Sequence, residues 1–155
     1  MRIRIIAVGQ KMPSWVNDGY HEYAKRLGSD MPLELVEIPA GKRGKNADIK
    51  KLMSKEGKAS INAAGKNDFI IALDVKGKRL STEQMAQELS NYQHQGRDLS
   101  IFIGGPEGLA PDCIKAAHYS WSLSDLTLPH PLVRVLLAEQ LYRCWSLLKG
   151  HPYHK

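Results

Sequence analysis

The chain has 155 residues, of which 43% are hydrophobic and 25% charged, a mix typical of one globular domain. Its two cysteines, Cys113 and Cys144, are too few for a disulfide framework and too far apart for a paired zinc or redox motif. No apolar run is long enough for a transmembrane helix, and the N-terminus lacks a signal-peptide pattern. We therefore expect a cytoplasmic protein that binds no membrane.

The net charge is +6 at pH 7, because 22 lysines and arginines outnumber 16 acidic residues. A positive surface attracts polyanions through Coulomb forces and through the release of condensed counterions. Many basic proteins nevertheless bind no nucleic acid. The charge therefore admits a nucleic-acid partner without requiring one.

Segments with strand and helix periodicity alternate along the chain. Strands are predicted at 2–8, 33–38, 69–73, 99–103 and 121–123. Helices are predicted at 13–27, 47–64, 82–94, 112–117 and 130–148. This alternation is typical of an α/β fold with a mostly parallel sheet. Such sheets bind ligands beyond the carboxyl ends of their strands, which indicates the loop after Leu73, the loop after Ile103 and residues 123–128.

The last predicted helix carries apolar side chains on two faces. Val133, Leu137 and Leu141 belong to one stripe, whereas Leu132 and Val135 extend the apolar character onto a second. A helix that is apolar on two faces is buried on both. The second face could lie in the core of the same chain or against another subunit, and the pattern leaves both open.

Two loops have the composition of ligand-binding segments. Residues 104–108, GGPEG, follow a buried strand, and glycine lets a backbone approach a ligand closely, although a tight turn would use the same residues. Residues 123–130 mix leucines with hydroxyl groups, and Pro129 and Pro131 prevent the main chain from continuing a strand. Free amides beside leucines suit a flat heteroaromatic ring such as adenine, and the alternative is an ordinary loop.

Two further segments are rich in basic or proton-transferring groups. Residues 41–46, GKRGKN, could follow a phosphate backbone or could be a solvated loop. The tail, residues 151–155, offers two histidines, a tyrosine and a lysine, although a terminus this short would normally fray. Because no acidic residue or cysteine in the tail completes a ligand set for these histidines, we expect no metal site.

Together these motifs resemble those of the ribosomal RNA large subunit methyltransferase H family, which belongs to the SPOUT methyltransferases. The matching segments span the chain and are 38–43, 73–74, 77–78, 103–108, 123–134, 139–143 and 151–154. The resemblance implies one α/β domain, residues 1–155, in which helices flank a parallel sheet and the C-terminal part forms a deep trefoil knot. It also implies a homodimer.

The same resemblance implies a cofactor and a reaction. S-adenosylmethionine would be held at the strand ends, by positions matching Leu73, Gly104, Leu123, Ser124, Asp125, Leu126, Thr127 and Leu128. The reaction would methylate N3 of a pseudouridine in 23S ribosomal RNA. We expect recognition to depend on the shape of the assembled ribosome, because a bare catalytic domain has little surface for reading an RNA sequence.

Three residues are candidates for the chemistry, because N3 of pseudouridine must lose its proton to attack a methyl group well. His154 is the first candidate for the general base, since the pKa of an unperturbed imidazole lies near working pH. Tyr153 could orient or stack on the uracil ring, and Arg143 could stabilise the developing negative charge or hold a phosphate. His130, between two prolines, is a weaker candidate. In a knotted dimer the tail of one subunit could complete the site of the other, and the sequence leaves action within one chain or across the dimer open.

Two other functions share part of this pattern. A ribosome-binding factor with the same fold but no catalysis would keep the basic loop, although it leaves the Tyr-His tail unexplained. An α/β protein that binds another nucleotide or a small metabolite would show no association with RNA. A non-catalytic ribosome-binding factor would not bind S-adenosylmethionine, whereas a methyltransferase would. A protein that binds another nucleotide or metabolite would not bind ribosomes.

Overall fold

The computed structural model describes residues 1–154, in which five strands alternate with five α-helices. The strands are β1 (Ile3–Val8), β2 (Leu33–Ile38), β3 (Phe69–Arg79), β4 (Leu99–Ile103) and β5 (Tyr119–Ser122). The helices are α1 (Ser14–Ala24), α2 (Ile49–Ala63), α3 (Thr82–His94), α4 (Pro111–Ala116) and α5 (His130–Lys149), and a 3₁₀ turn at Pro152–His154 follows α5.

All the strands lie parallel in one sheet, in the order β2-β1-β4-β3-β5. The central strand, β4, is buried along its whole length. Its register places Ile101 beside Ile5 of β1 and beside Ile71 of β3, so the middle of the sheet is apolar on every strand. Continuous burial of this kind is what a parallel sheet covered by helices on both faces requires. The predicted α/β class is confirmed, whereas the knot stays a prediction.

Local hydrogen bonds explain where two helices begin. The Ser81 hydroxyl accepts a hydrogen bond from the Gln84 N–H, and the Gln84 side chain accepts one from the Ser81 N–H, so a capping box starts α3 at the predicted residue. The Asp48 carboxylate accepts a hydrogen bond from the Lys51 N–H at 3.2 Å. Asp48 is therefore the cap of α2, and the predicted start at residue 47 is two residues early.

The strand β3 is longer than its apolar run. It pairs with β5 through Leu73 opposite Trp121, and after a shift in register Lys78 lies opposite the same Trp121. The predicted strand ended at residue 73, because the next six residues include five polar or glycine positions and show no apolar continuity. The shift in register lies beside the cavity described below.

The helix α5 packs mainly within its own chain. It contacts α1 and α3, and its Val135 lies against Gly19 of α1. Tyr142, on the same helix, is covered by the ring of Tyr153, with 4.5 Å between the ring centroids. On the second face Tyr142 is buried, whereas Leu132 and Val135 are half-buried, and Leu136 of the first stripe is 37% exposed. The two-faced pattern thus reflects packing within the chain in part, and the dimer stays a prediction. No helix in residues 1–154 has the length and hydropathy to cross a membrane.

Candidate functional site

A cavity of about 590 Å³ opens at the carboxyl ends of β3, β4 and β5. Its volume lies within the range of about 300–1,000 Å³ that is usual for small-molecule sites. Its walls are residues 73–75, 103–109, 122–124 and 126–130, together with Val133. The structure thus brings together the three strand-end segments that the sequence indicated.

Seven of the eight residues predicted to bind a cofactor border this cavity; they are Leu73, Gly104, Leu123, Ser124, Leu126, Thr127 and Leu128. The eighth, Asp125, does not border it. Its carboxylate forms an exposed ion pair with Arg79, with 2.6 Å between the charged atoms. The Asp125 side chain therefore faces away from the cavity.

The loop at residues 104–108 is folded tightly on itself. Its Gly105 carbonyl accepts a hydrogen bond from the Gly108 N–H at 3.0 Å. A Cβ at Gly104 would lie 2.3 Å from the carbonyl carbon of Gly108, and Gly108 has a φ of +88°, where side chains are strained. Glycine is therefore required at these positions because the loop packs closely on itself. The absence of side chains also leaves room for a ligand.

The basic loop, residues 41–46, is not wholly a solvated surface. The Arg43 guanidinium forms ion pairs with Glu56 of α2 and with Glu107 of the loop at 104–108. Its Nη2 atom lies 2.8 Å from Oε1 of Glu56 and 2.8 Å from Oε1 of Glu107. Glu56 is nearly buried and also accepts a hydrogen bond from the Gly41 N–H at 2.9 Å. Arg43 therefore ties the cavity wall to α2, and its charge is already balanced. Of the two alternatives for this loop, neither anticipated the ion pairs of Arg43.

The segment at 123–128 keeps main-chain groups free. The Leu126 N–H donates to the Ser124 hydroxyl at 3.0 Å, and the Ser122 hydroxyl donates to the Ser124 carbonyl. Within residues 1–154, the N–H groups of Thr127 and Leu128 have no hydrogen-bond acceptor. The turn built by these serines thus presents unpaired donors beside leucine side chains, as the sequence suggested.

At the start of α5, His130 borders the cavity while Arg134 lies fully buried behind it. Arg134 donates to Glu37 at 2.6 Å and to the Gly9 carbonyl at 2.8 Å. Burial and the nearby Arg134 charge both lower the pKa of His130. The imidazole is therefore neutral at neutral pH, and the cavity gains no positive charge from it.

The three predicted catalytic residues lie together at the other end of α5. Tyr153 donates its hydroxyl to Glu139 Oε1 at 3.1 Å, and Arg143 Nε donates to the same oxygen at 2.8 Å. Burial and the hydrogen bond to Glu139 raise the pKa of Tyr153. The Nδ1 atom of His154 lies 3.0 Å from the Ser146 hydroxyl. The described part of the tail, residues 151–154, is thus docked on α5 rather than frayed, and Lys155 lies outside the described residues.

The tail does not reach the cavity of its own chain. Its anchors, Glu139 and Ser146, are about 14 and 24 Å along the helix axis from His130 at 1.5 Å per residue. Glu139 also lies about half a turn round the helix from His130. None of Arg143, Tyr153 and His154 borders the cavity among the described residues. Within one chain, the structure separates the predicted cofactor residues from the predicted catalytic residues.

Residues 1–154 match the family model described as "Predicted SPOUT methyltransferase". The chain belongs to the SPOUT methyltransferase family. The match confirms the resemblance drawn from the sequence motifs, and it makes the protein a methyltransferase.

Two solved structures are similar to this SPOUT methyltransferase. One is described as "a probable methylase family protein" from Haemophilus influenzae Rd KW20, with a TM-score of 0.58 and 13% identity, covering 99% of this chain and 70% of that one. The other is described as a "Probable Methyltransferase" from Bordetella pertussis Tohama I, with a TM-score of 0.58 and 16% identity, covering 93% and 96%. At such identities the likeness shows the fold.

Two features of the cavity of this SPOUT methyltransferase were missed in the sequence. Asp74 borders the cavity directly after the buried part of β3, and no ion pair engages its carboxylate within residues 1–154. Glu107 also borders it, but its charge is balanced by Arg43. Asp74 could have been found in the sequence, because a carboxylate that directly follows a buried strand lies at the ligand-binding edge of the sheet. No local pattern, however, shows that Glu107 forms an ion pair whereas Asp74 does not.

The Arg43 ion pairs yield a prediction about stability. In Arg43→Met, Glu56 would be left as an unpaired and nearly buried carboxylate, so we expect the free energy of unfolding to fall by about 3 kcal/mol. Urea titration at pH 7 measures it. Lys42→Met, at the exposed neighbouring position, is the matched control and should change stability by less than about 0.5 kcal/mol.

The stabilisation by the Arg43–Glu56 ion pair should depend on pH in a defined direction. Arg43 lowers the pKa of Glu56 in the folded chain, so this stabilisation is present above the unfolded pKa of about 4.3 and is lost as the pH falls through the lower folded value. Arg43→Met should show less of this loss in acid. Equal stability of Arg43→Met and Lys42→Met would show that the wall does not depend on these pairs.

Proposed function

We propose that this SPOUT methyltransferase uses S-adenosylmethionine to methylate N3 of a pseudouridine in 23S ribosomal RNA on the assembled ribosome. The observation that carries the proposal is the cavity, because the segments that the resemblance assigns to the cofactor border one space of suitable size. The RNA substrate comes from the resemblance to the large subunit methyltransferase H family, whose motifs occur along the whole chain.

The residues around the cavity fit S-adenosylmethionine. The free N–H groups of Thr127 and Leu128 suit the ring nitrogens of adenine, and the neighbouring leucines suit its faces. The Asp74 carboxylate suits the positive charges of a sulfonium and an amino group. The loop at 104–108 presents main chain, so a ligand can approach it closely.

When bound, S-adenosylmethionine would supply an electrophilic methyl group to N3, and its sulfonium would leave as a neutral thioether. His154 removes the N3 proton, because a neutral imidazole can accept a proton near working pH. Arg143 stabilises the negative charge that this leaves on the ring. Tyr153 orients the ring, which is the positioning that a methyl transfer between two fixed centres needs.

These roles require a homodimer, because the tail lies away from the cavity of its own chain. Two large side chains at the rim of the cavity, Val75 and Leu126, are 60% and 70% exposed. A second copy that covers this rim buries them, and it can bring its own docked tail to the cavity. One composite site then consists of the cavity of one copy and residues 143, 153 and 154 of the other.

A lysine surface supports an anionic partner. It comprises six exposed lysines that form no ion pair within residues 1–154, namely Lys42, Lys45, Lys50, Lys51, Lys55 and Lys58. It lies next to the cavity, because Arg43 joins the same loop to Glu107. Phosphate groups of ribosomal RNA can bind here through Coulomb attraction. A ribosomal substrate also places the protein in the cytoplasm.

Cofactor binding can be tested at Gly104. In Gly104→Val, the side chain collides with the main chain of Gly108 and reshapes the cavity wall, so we expect the Kd for S-adenosylmethionine to rise at least 100-fold in calorimetry. Gly44→Val is the matched control, because a Cβ at Gly44 meets nothing within 4 Å. If Gly104→Val binds as tightly as Gly44→Val, the cofactor lies elsewhere.

The reaction can be tested directly on ribosomes. Ribosomes from cells that lack this protein are incubated with the protein and S-adenosylmethionine, and mass spectrometry of the digested 23S RNA should show one added methyl group on a pseudouridine. A short isolated hairpin should be a poor substrate. Cofactor binding without methylation of ribosomes would indicate another substrate, and ribosome binding without cofactor binding would indicate a non-catalytic factor.

The composite site can be tested with mixed dimers. One chain carries Gly104→Val and an intact tail, and the other has an intact cavity but lacks residues 153–155. Neither homodimer should methylate ribosomes, whereas the purified heterodimer should recover up to half of the wild-type kcat, because one cavity then meets one tail. A heterodimer as inactive as its parents would contradict a tail that acts across the dimer.

A further inference from the structure

The tail is docked by a fixed network as well as by ring packing. The Ser146 side chain, fully buried near the end of α5, contacts two histidines of the tail. Its hydroxyl donates to the His151 carbonyl at 2.9 Å and lies 3.0 Å from Nδ1 of His154. The Ser146 carbonyl in turn accepts from the His151 N–H at 2.9 Å.

This network bears on where His154 carries its proton. A serine hydroxyl has one hydrogen to donate, and the His151 carbonyl can only accept. Both contacts of the Ser146 hydroxyl are therefore hydrogen bonds at once only if the hydroxyl donates to His151 and Nδ1 of His154 carries a proton that it donates to the hydroxyl oxygen. In the neutral ring, the lone pair is then on Nε2, which points the basic nitrogen away from α5.

A second anchor acts on the other two groups. One oxygen of Glu139 accepts hydrogen bonds from the Tyr153 hydroxyl and from the Arg143 guanidinium, and its other oxygen accepts one from Gln140 at 2.7 Å. Gln140 accepts in turn from the Thr82 hydroxyl of α3 at 2.8 Å. Glu139 is therefore tied through Gln140 to α3, and it holds the tyrosine and the arginine in one arrangement.

From these contacts we infer that Ser146 and Glu139 are positioning residues of the methyl transfer, with Ser146 selecting the tautomer of His154 that has its lone pair on Nε2. Neither residue touches the RNA. They act by presenting the base, the orienting tyrosine and the arginine as one preformed unit. The inference rests on the proposed function for its kinetic part, while the tautomer itself is a property of the free protein.

The tautomer is measured first, without any reaction. In uniformly ¹⁵N-labelled full-length protein, long-range proton–nitrogen spectra distinguish a protonated from an unprotonated ring nitrogen, and His154→Gln identifies the signals of His154. We expect Nδ1 of His154 to be protonated in the wild type and this preference to disappear in Ser146→Ala. A matched control is Ser90→Ala, where a half-buried serine lies 3.5 Å from His94 Nδ1 on α3, and it should leave His154 unchanged.

Kinetics separate positioning from folding. We expect Ser146→Ala and Glu139→Gln each to lower kcat on ribosomes by about 10- to 100-fold, because a small misplacement of a reacting group costs that much, with KM for ribosomes and Kd for S-adenosylmethionine within about twofold. Glu83→Gln, an exposed carboxylate on α3, is the charge-matched control. Glu139→Gln is isosteric and tests the second anchor even if Ser146→Ala fails to fold.

Two results would overturn the inference. A wild-type His154 with its proton on Nε2 would contradict the assigned tautomer, and unchanged kcat in both variants would show that the anchors do not serve catalysis. If instead the wild-type protein fails to methylate ribosomes while His154 keeps a protonated Nδ1, the proposed substrate is wrong and the tautomer assignment stands.

Discussion

The length of α5 is the constraint on which the organisation of this protein depends. A helix of 20 residues spans about 30 Å, and packing against α1 and α3 keeps this one in place. Its first residue borders the cavity, while its second half carries the docked tail. Because a packed helix cannot bend its two ends together, a single chain cannot bring these groups to one point. The proposed catalysis by both sets of groups would therefore use a second chain.

The cavity wall is rigid for reasons that lie outside the loop itself. The loop at 104–108 has little side-chain packing of its own, and it is held by the pair from Glu107 to Arg43 and, through Arg43, by Glu56 of α2. A carboxylate as buried as Glu56 costs free energy unless it is paired. The ion pairs thus fix the loop before any ligand arrives, which lowers the conformational cost of binding.

The sequence was most informative where local rules decide the structure. The start of α3 coincides with its capping box, and the apolar runs at 69–73 and 99–103 predict strands that are buried on both faces. The strand-end loops followed from the order of the elements. By contrast, the ion pairs of Arg43 could not be predicted, because its partners stand 13 and 64 positions away and leave no local pattern. The polar half of β3 was missed because pairing with β5, not hydrophobicity, makes it a strand.

The same limit applies to the site. Tyr153, His154 and Arg143 could be selected as reactive groups by residue type and resemblance, but Glu139 and Ser146 could not, because their roles come from hydrogen bonds that only the folded tail makes. Asp125, within a cofactor-like segment, turned out to face Arg79. A segment can therefore be assigned from sequence more securely than the direction of any one of its side chains.

The proposed function places two opposite demands on the distribution of charge. A sulfonium ligand is positive and an RNA is negative, so one surface cannot favour both. In this chain the exposed lysines of α2 and of the loop at 41–46 lie outside the cavity, whereas the cavity itself contains Asp74 and a His130 whose lowered pKa keeps it neutral. The one arginine directly behind His130, Arg134, is balanced by Glu37. A cavity free of unbalanced positive charge can hold a cationic donor beneath a surface that attracts phosphate.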